Sequence, residues 1–313
     1  MSNDLTIIDA HAHVIPNVSG RNRFGALVSD HWGSVLRGDT RLPMLPPTCA
    51  DSSFPVEALV ELMDREAVSQ ALLLQNPTLG TCNEYVRECI ERFPNRLCGA
   101  IQVDPRNPEG PEMIRQFASP RQSVLKIEMS ADWGWTGVHP GFELDEPDTS
   151  PLWDAVVECG LEVVIDPGPP GNPGYQVRAI DAVTSRLSST RFVLEHLGYL
   201  MADPPLAADA IALRRQLLEL GRKENVWLGL SAVPILLDDV YPCLRSAELL
   251  REAIELVGAK KLIWGSDVPI TLNLHTYRQL IDTIRREADF LSDEQKRQIL
   301  SENARDVFRG LSA

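Results

Sequence analysis

Short apolar segments of strand length alternate with segments of helical periodicity along nearly the whole chain, and this alternation constrains the fold most. Eight such segments are predicted as strands, at residues 5–9, 69–75, 97–103, 123–127, 161–165, 191–195, 226–230 and 262–264. Most are continuously apolar, which is typical of strands buried on both faces of a parallel sheet. Eight strand–helix units in 313 residues favour a closed α/β barrel of the (β/α)8 TIM type over an open doubly wound sheet.

The domain organisation follows from the absence of any repeat, low-complexity tract or linker, so one domain over residues 1–313 is the simplest interpretation. Residues 17–53 interrupt the alternation with many Gly, Pro, Arg and Asp residues, and we predict a long insertion after the first strand. No GxGxxG motif follows the first strand and no P-loop motif occurs, which disfavours a nucleotide-binding fold.

The acidic composition limits the classes of partner. The formal net charge is −14 at pH 7, whereas nucleic acids and anionic membranes attract proteins with clustered Lys and Arg. The N-terminal residues lack the pattern of a secretory leader, and no apolar run approaches the ~18 residues of a membrane span. We therefore expect a cytoplasmic protein that acts on a small molecule, with no nucleic-acid or membrane partner. Homo-oligomer formation stays open.

Polar residues stand where several predicted strands end, and in a barrel of this type those carboxyl ends carry the active site. Three of the six histidines lie there: His11 and His13 after the first strand, and His196 after the sixth. Asp166 ends the fifth strand and Asp267 the eighth. Histidines at positions i and i+2 of an extended strand point the same way, so His11 and His13 can bind one divalent ion together.

A site of imidazole and carboxylate ligands suits Zn²⁺ or Mn²⁺. The ion would polarise a substrate carbonyl or lower the pKa of a water toward ~7, and Asp267 could also accept a proton. Each residue has an ordinary alternative: an isolated HxH pair can be accidental, Asp267 could cap the next segment, and His196 could be a buried, hydrogen-bonded imidazole. Their occurrence together at strand ends favours an active site.

Other polar residues near the strand ends keep two interpretations. Lys126 and Glu128 share one face of the fourth strand, where they either reach the pocket or form an internal ion pair. Glu195 is out of phase with His196, so alternation predicts that it faces the helices or a salt bridge.

Three residues outside the strands are candidates for substrate binding. Trp133 follows the fourth strand in an irregular segment that could cover a flat substrate or simply pack on the barrel. Arg23 belongs to the insertion, whose arginines either bind a substrate carboxylate bidentately or stay solvated. His275 follows the eighth strand closely enough to lie near the mouth.

Four motifs carry a family resemblance: Ile8-Asp9-Ala10-His11-Ala12-His13, Glu195-His196-Leu197-Gly198, Gly265-Ser266-Asp267 and the closing Glu302-Asn303-Ala304-Arg305. With them the chain resembles, over nearly its whole length, the amidohydrolase superfamily, and within it the amidohydrolase-related family 2 that includes decarboxylases and lactonases. The resemblance implies that His11 and His13 are metal ligands and that Asp267 is a ligand and sometimes a proton acceptor. It implies that His196 is a catalytic acid/base or orients the substrate. One Zn²⁺ ion is the implied cofactor, with Mn²⁺ as the alternative.

One position departs from the family pattern. Most metal-bearing relatives carry a histidine at the end of the fifth strand, where this chain has Asp166. The aspartate could serve as a further metal ligand, or as a hydrogen-bonding group beside a weak or absent metal. Some lactonases of the group lack the histidine and work without metal, so a metal-free enzyme also stays open.

Three functions are compatible with this pattern. The leading hypothesis is a metal-dependent hydrolase of a small carboxylated lactone or amide, in which an activated water attacks the carbonyl. The alternative is metal-dependent, non-oxidative decarboxylation of an aromatic or enoic acid. The third is a non-catalytic barrel, against which the retained histidines and Asp267 argue.

Overall fold

The strands form a closed barrel in the computed structural model, which describes residues 5–201 and 207–311. Within these residues, eight parallel strands follow one another through one sheet in chain order, which confirms the predicted (β/α)8 TIM-type barrel. The strands are β1 Ile7–Ala12, β2 Val68–Leu73, β3 Leu97–Ile101, β4 Gln122–Glu128, β5 Glu162–Asp166, β6 Phe192–Leu194, β7 Val226–Gly229 and β8 Leu262–Ile263.

Helices connect successive strands around the outside of the barrel. They are α1 Val56–Arg65, α2 Asn83–Arg92, α3 Gly110–Phe117, α4 Ser150–Glu158, α5 Val177–Arg186, α6 Ala208–Glu219, α7 Leu244–Val257 and α8 Tyr277–Asp282. Two short helices, Asp293–Arg297 and Asn303–Val307, follow α8. None of the described helices is long and apolar enough to cross a membrane.

The predicted insertion is a pair of small antiparallel sheets. Arg21–Asn22 pairs with Gly25–Ala26, and a three-stranded sheet follows, made of Val28–Ser29, Ser34–Arg37 and Thr40–Pro43. The chain that leaves this second sheet reaches the barrel mouth, because the Asn273 side chain donates a hydrogen bond to Met44 O at 3.1 Å.

An apolar layer fills the barrel below its mouth. Val124 and Val164 belong to a buried cluster that also contains Phe308 near the end of the described chain. Each valine lies two positions before a polar residue, Lys126 or Asp166, so the same strand face continues upward into polar residues. The barrel therefore has an apolar floor and a polar mouth at the carboxyl ends of its strands.

The barrel closes between β8 and β1. Ala10 N donates to Trp264 O at 3.2 Å, and past the end of β8 His13 N donates to Val268 O at 2.8 Å. Between these bonds, Asp267 N donates to His11 O at 2.7 Å. The first and the last strand of the barrel therefore meet at one edge of the mouth.

The buried carboxylate of Asp9 strengthens this closure from the outer side. Its two oxygens accept hydrogen bonds from Ser266 N at 2.8 Å and Ser266 Oγ at 2.6 Å. They also accept from the hydroxyl of Tyr277 in α8 at 2.8 Å and from His11 N at 3.2 Å. One side chain thus joins β1, the segment after β8 and the following helix.

We predict that Asp9→Ala lowers the free energy of unfolding by about 3 kcal/mol, because several buried donors lose their acceptor at once. Urea denaturation followed by circular dichroism measures the change. Asp64→Ala is the control, since Asp64 pairs with Arg96 at the surface and an exposed pair contributes at most about 1 kcal/mol. Equal stabilities of Asp9→Ala and the wild-type protein would contradict this role of Asp9.

Candidate active site

A pocket of about 280 Å³ opens at the carboxyl ends of the strands. It collects most of the residues that the sequence predicted: His11, His13, Trp133, Asp166, His196 and Asp267 line it, and so do Lys126 and Glu128. Residues that the sequence did not single out complete the wall: Pro43, Met44, Asn76, Thr78, Leu79, Tyr199 and Ile270. The polar residues lie on the barrel strands or shortly after their carboxyl ends, whereas the apolar ones come from outside the barrel strands.

Three ligand atoms converge in this pocket. His13 Nε2 lies 2.9 Å from Asp267 Oδ1, and His11 Nε2 lies 3.5 Å from the same oxygen. The ligand atoms of His11, His13 and Asp267 all lie within 4.8 Å of one another. We call these three residues the metal cluster, because two imidazoles and a carboxylate from two strands suit one divalent ion.

The outer ring nitrogens of both histidines are held by acceptors. His13 Nδ1 is 2.9 Å from Leu74 O, and since a carbonyl only accepts hydrogen bonds, Nδ1 carries the hydrogen. His11 Nδ1 faces Ser231 Oγ at 2.9 Å and Glu195 Oε2 at 3.2 Å. Histidines that ligate metals commonly donate their other nitrogen to a carbonyl or carboxylate in this way.

These tautomers make the cluster fit a cation. His13 Nε2 lies 2.9 Å from Asp267 Oδ1, a separation at which either a proton on Nε2 or a bound cation has to lie between the two atoms. Burial lowers the pKa of His11, although Glu195 opposes the shift, so the ring is neutral and available as a ligand. Burial raises the pKa of Asp267, but His11 and His13 lower it to about 2, which keeps the carboxylate ionised.

The backbone brings Asp267 to the histidines by an unusual path. Asp267 has a φ of 59°, a left-handed conformation that is costly for residues other than glycine and that clusters at functional sites. Two residues earlier, Gly265 allows the close approach of the strands, because a Cβ at that position would lie 2.5 Å from His11 Cβ. The sharp turn and the missing side chain together place the aspartate over the end of β1.

A second group, His196 with Asp166, lies beside the metal cluster. His196 Nε2 is 2.9 Å from Asp166 Oδ2, and His196 Nδ1 is 2.9 Å from Ser231 O. Because both nitrogens face acceptors, the ring is held as a doubly protonated cation. Burial alone would lower the pKa of His196, but the neighbouring carboxylates, Asp166 first, raise it to about 10.

Asp166 is therefore occupied by His196 and is not brought into the metal cluster. Gly168 N donates to its other oxygen at 2.9 Å. Burial opposes ionisation of this carboxyl, but His196 and Lys126 outweigh it and hold the pKa of Asp166 well below its ordinary value. Asp166 thus serves as the counter-ion of His196.

Glu195 does not face the helices, contrary to the alternation pattern. It is 3% exposed and its Oε2 accepts from Ser231 Oγ at 2.5 Å, beside His11 Nδ1. Alternation fails because the next residue, His196, has a φ of 61°, and this left-handed turn directs both side chains inward. Gly229 on β7 makes room, since a Cβ there would lie 2.1 Å from Glu195 Oε2.

Ser231 is a further residue at the site that was not singled out from the sequence. Its hydroxyl contacts three groups: Glu195, His11 Nδ1 and, at 3.1 Å, His196 Nδ1. Its position in the sequence could have indicated a site residue, because Ser231 follows the seventh strand at the level where other strands end in polar residues.

Two predicted substrate-binding residues are not among the described residues that line the pocket. Arg23 Nε pairs with Asp132 at 2.9 Å, and its guanidinium covers the ring of Phe24 with half of the side chain exposed. His275 is buried behind the mouth, where Nε2 is 2.9 Å from Asp239 O. Each side chain has another partner in the structure, and substrate binding by Arg23 and His275 stays a prediction.

The comparison with known families decides which family the chain belongs to. The amidohydrolase family model matches residues 8–310, which is nearly the whole chain. The chain belongs to the amidohydrolase family. This confirms the resemblance drawn from the sequence motifs, and it makes the protein an enzyme of the amidohydrolase superfamily.

Individual relatives of this amidohydrolase are distant. It is 23% identical to an L-fucono-1,5-lactonase from Burkholderia ambifaria over 235 residues, which cover 72% of this chain and 74% of the lactonase. A probable 2-pyrone-4,6-dicarboxylic acid hydrolase from Acinetobacter baumannii, with citric acid bound, superposes with a TM-score of 0.69, 20% identity and coverage of 97% and 99% of the two chains. A 5-carboxyvanillate decarboxylase from Sphingomonas paucimobilis superposes with a TM-score of 0.63, 18% identity and coverage of 98% and 99%. The two superpositions establish a common fold.

We predict that Glu195→Gln weakens Zn²⁺ binding by about 10- to 100-fold, because the carboxylate that orients His11 is lost. Competition with a fluorescent chelator measures the affinity of the amidohydrolase for the ion. Glu162→Gln is the matched control, since Glu162 is also buried but lies at the start of β5, where it contacts Ser123 and Arg309. Unchanged zinc affinity in Glu195→Gln would show that Glu195 does not support the cluster.

Proposed function

We propose that this amidohydrolase uses one divalent metal ion to hydrolyse a small carboxylated lactone or amide with an activated water. The observation that carries the proposal is the convergence of His11 Nε2, His13 Nε2 and Asp267 Oδ1 with both outer ring nitrogens held by acceptors. Zn²⁺ is the proposed ion and Mn²⁺ the alternative, because both accept imidazole together with carboxylate.

The metal cluster and Asp267 would divide the activation of water. A bound ion supplies Lewis acidity, which polarises a carbonyl and lowers the pKa of a nearby water. Asp267 is ionised and has one oxygen in the cluster, and its second oxygen is the group proposed to take the proton of the attacking water. The left-handed backbone at Asp267 holds this carboxylate in one orientation.

His196 would stabilise the negative charge that develops on the substrate oxygen. It lines the pocket, and its ring centroid is 5.3 Å from that of His11. Asp166 and Ser231 O hold it as a cation before the substrate arrives. A preorganised charge of this kind costs no reorganisation during the reaction, which is the main source of electrostatic catalysis.

A lactone is the preferred substrate class because the curated relative with 23% identity is a lactonase.

Non-oxidative decarboxylation is the second candidate. The same fold occurs in a 5-carboxyvanillate decarboxylase, and Trp133 supplies an aromatic wall that suits a flat acid. The two reactions differ in their product: hydrolysis of a lactone releases a proton at neutral pH, whereas decarboxylation releases CO₂. A pH-indicator assay and a coupled CO₂ assay on the same acids and lactones separate them.

We predict that protein purified without added metal carries about one equivalent of a divalent transition metal, and that His11→Ala loses both the metal and the activity. Elemental analysis together with the pH-indicator assay measures both quantities. His139→Ala is the control, because His139 pairs with Asp104 away from the pocket. Full activity in metal-free protein would overturn the metal-dependent mechanism.

We predict that His196→Ala lowers the turnover rate by about 10²–10⁴-fold, the usual effect of removing a group that acts on the transition state. Its metal content stays at the wild-type level, because His196 is outside the metal cluster. Steady-state kinetics and elemental analysis on the same preparation measure the turnover rate and the metal content. Normal turnover in this variant would show that His196 does not stabilise the transition state.

A further inference from the structure

Lys126 is a buried cation inside the pocket that the mechanism above leaves without a role. Its side chain is 1% exposed and lines the pocket from β4. Within the described chain no atom accepts a hydrogen bond from its Nζ. The nearest carboxylate oxygens, on Glu128 and Asp166, lie 3.7 Å and 4.0 Å away. An ammonium carries three donors, and burying them without acceptors is costly.

The two neighbouring carboxyls do not satisfy this ammonium. Asp166 directs its oxygens to His196 and to Gly168 N. Glu128 Oε1 accepts from Ser130 N at 3.3 Å, and burial, followed by repulsion from Asp166, raises the pKa of Glu128 well above its ordinary value. Glu128 is thereby a weak counter-charge. Because Lys126 lines the pocket, a ligand bound there is the acceptor that these donors lack.

We propose that Lys126 binds a carboxylate of the substrate and makes this enzyme select acids over their neutral analogues. The inference rests on the proposed function and adds to it the residue that recognises the acid. Lysine acts on a carboxylate as a compact point charge, and a charge-assisted hydrogen bond in a buried pocket is among the stronger contacts a protein makes. Lys126 thereby takes the role for which the sequence offered Arg23.

The position of Lys126 also limits the shape of the substrate. β4 lies four strands away from β8 in an eight-stranded barrel, so Lys126 and Asp267 occupy opposite walls of the mouth. A substrate that reaches both walls carries its carboxylate at the end remote from the reacting carbonyl. The pocket of about 280 Å³ lies just below the ~300–1,000 Å³ range of ligand sites, which favours a compact acid.

The test uses two probes without a lactone bond, tetrahydrofuran-2-carboxylate and tetrahydrofuran-2-carboxamide, and NMR of each sample after the measurement checks that the amide has not been hydrolysed to the acid. Calorimetry on the zinc-loaded wild-type protein is expected to give at least about tenfold tighter binding of the carboxylate. Lys126→Met and Lys126→Gln both remove the charge, and each is expected to weaken carboxylate binding by about 10- to 100-fold while amide binding stays unchanged. Lys126→Arg keeps the charge and is expected to retain the preference for the acid.

The control is Lys260→Met, which removes an exposed lysine and is expected to leave binding of both probes unchanged. Circular dichroism and zinc content show that each variant is folded and loaded. Equal binding of acid and amide by the wild-type protein would overturn the proposal. Carboxylate binding that is as tight in Lys126→Met and Lys126→Gln as in the wild-type protein would also overturn it, and would assign the anion to the metal cluster.

Turnover separates this inference from the proposed function. Binding that depends on Lys126, without hydrolysis of 5-oxotetrahydrofuran-2-carboxylate or other lactone acids, would keep the anion site and overturn the hydrolase assignment. Hydrolysis of lactone acids with the same kcat/KM in the wild-type protein and in Lys126→Met would keep the hydrolase and overturn the anion site.

Discussion

Closure of the barrel between β1 and β8 is the constraint on which the rest of the site depends. The bond from Asp267 N to His11 O, and the bonds from Ser266 to the Asp9 carboxylate, hold the first and last strands together. Because of this closure, histidines near the start of the chain and an aspartate near its end share one centre. The contact between β1 and β8 also fixes the distances between these histidines and the aspartate, as a metal site or a catalytic group requires.

The second organising principle is the pairing of buried charge. The mouth buries four carboxyls, three histidines and one lysine, and an unpaired buried charge is expensive. Most of the carboxyls therefore contact an imidazole: Asp267 contacts His13, Glu195 contacts His11, and Asp166 contacts His196. Ser231 joins two of these pairs, since its hydroxyl contacts Glu195 and both His11 and His196. Lys126 differs from these groups because no atom of the described chain accepts a hydrogen bond from its Nζ, and for that reason it is informative about the ligand.

Much of the fold could be predicted from the sequence, because period-two and helical patterns are local properties of consecutive residues. The eight strands and the direction of His11 and His13 follow from such patterns. Predictions of side-chain direction failed where the backbone leaves regular geometry. Alternation predicted that Glu195 faces the helices or a salt bridge, and the structure has the contact with His11, because the left-handed turn at His196 breaks the alternation. Arg23 was placed at the mouth because sequence spacing cannot show that Asp132 and Phe24 would bind it elsewhere.

The sequence by itself determined the barrel, the level of the pocket and the members of the metal cluster, because each depends on where a strand ends. Only the tertiary structure decided what these residues do for one another. Asp166 could have completed a metal site, but its distance to His196 makes it the partner of an imidazolium. Lys126 lies within ion-pair distance of Glu128 and Asp166, as one of its two predicted interpretations had it, but its nitrogen lies beyond hydrogen-bond distance of both carboxyls. Partners of this kind come from different strands, so their distances are set by barrel geometry and leave no local pattern in the chain.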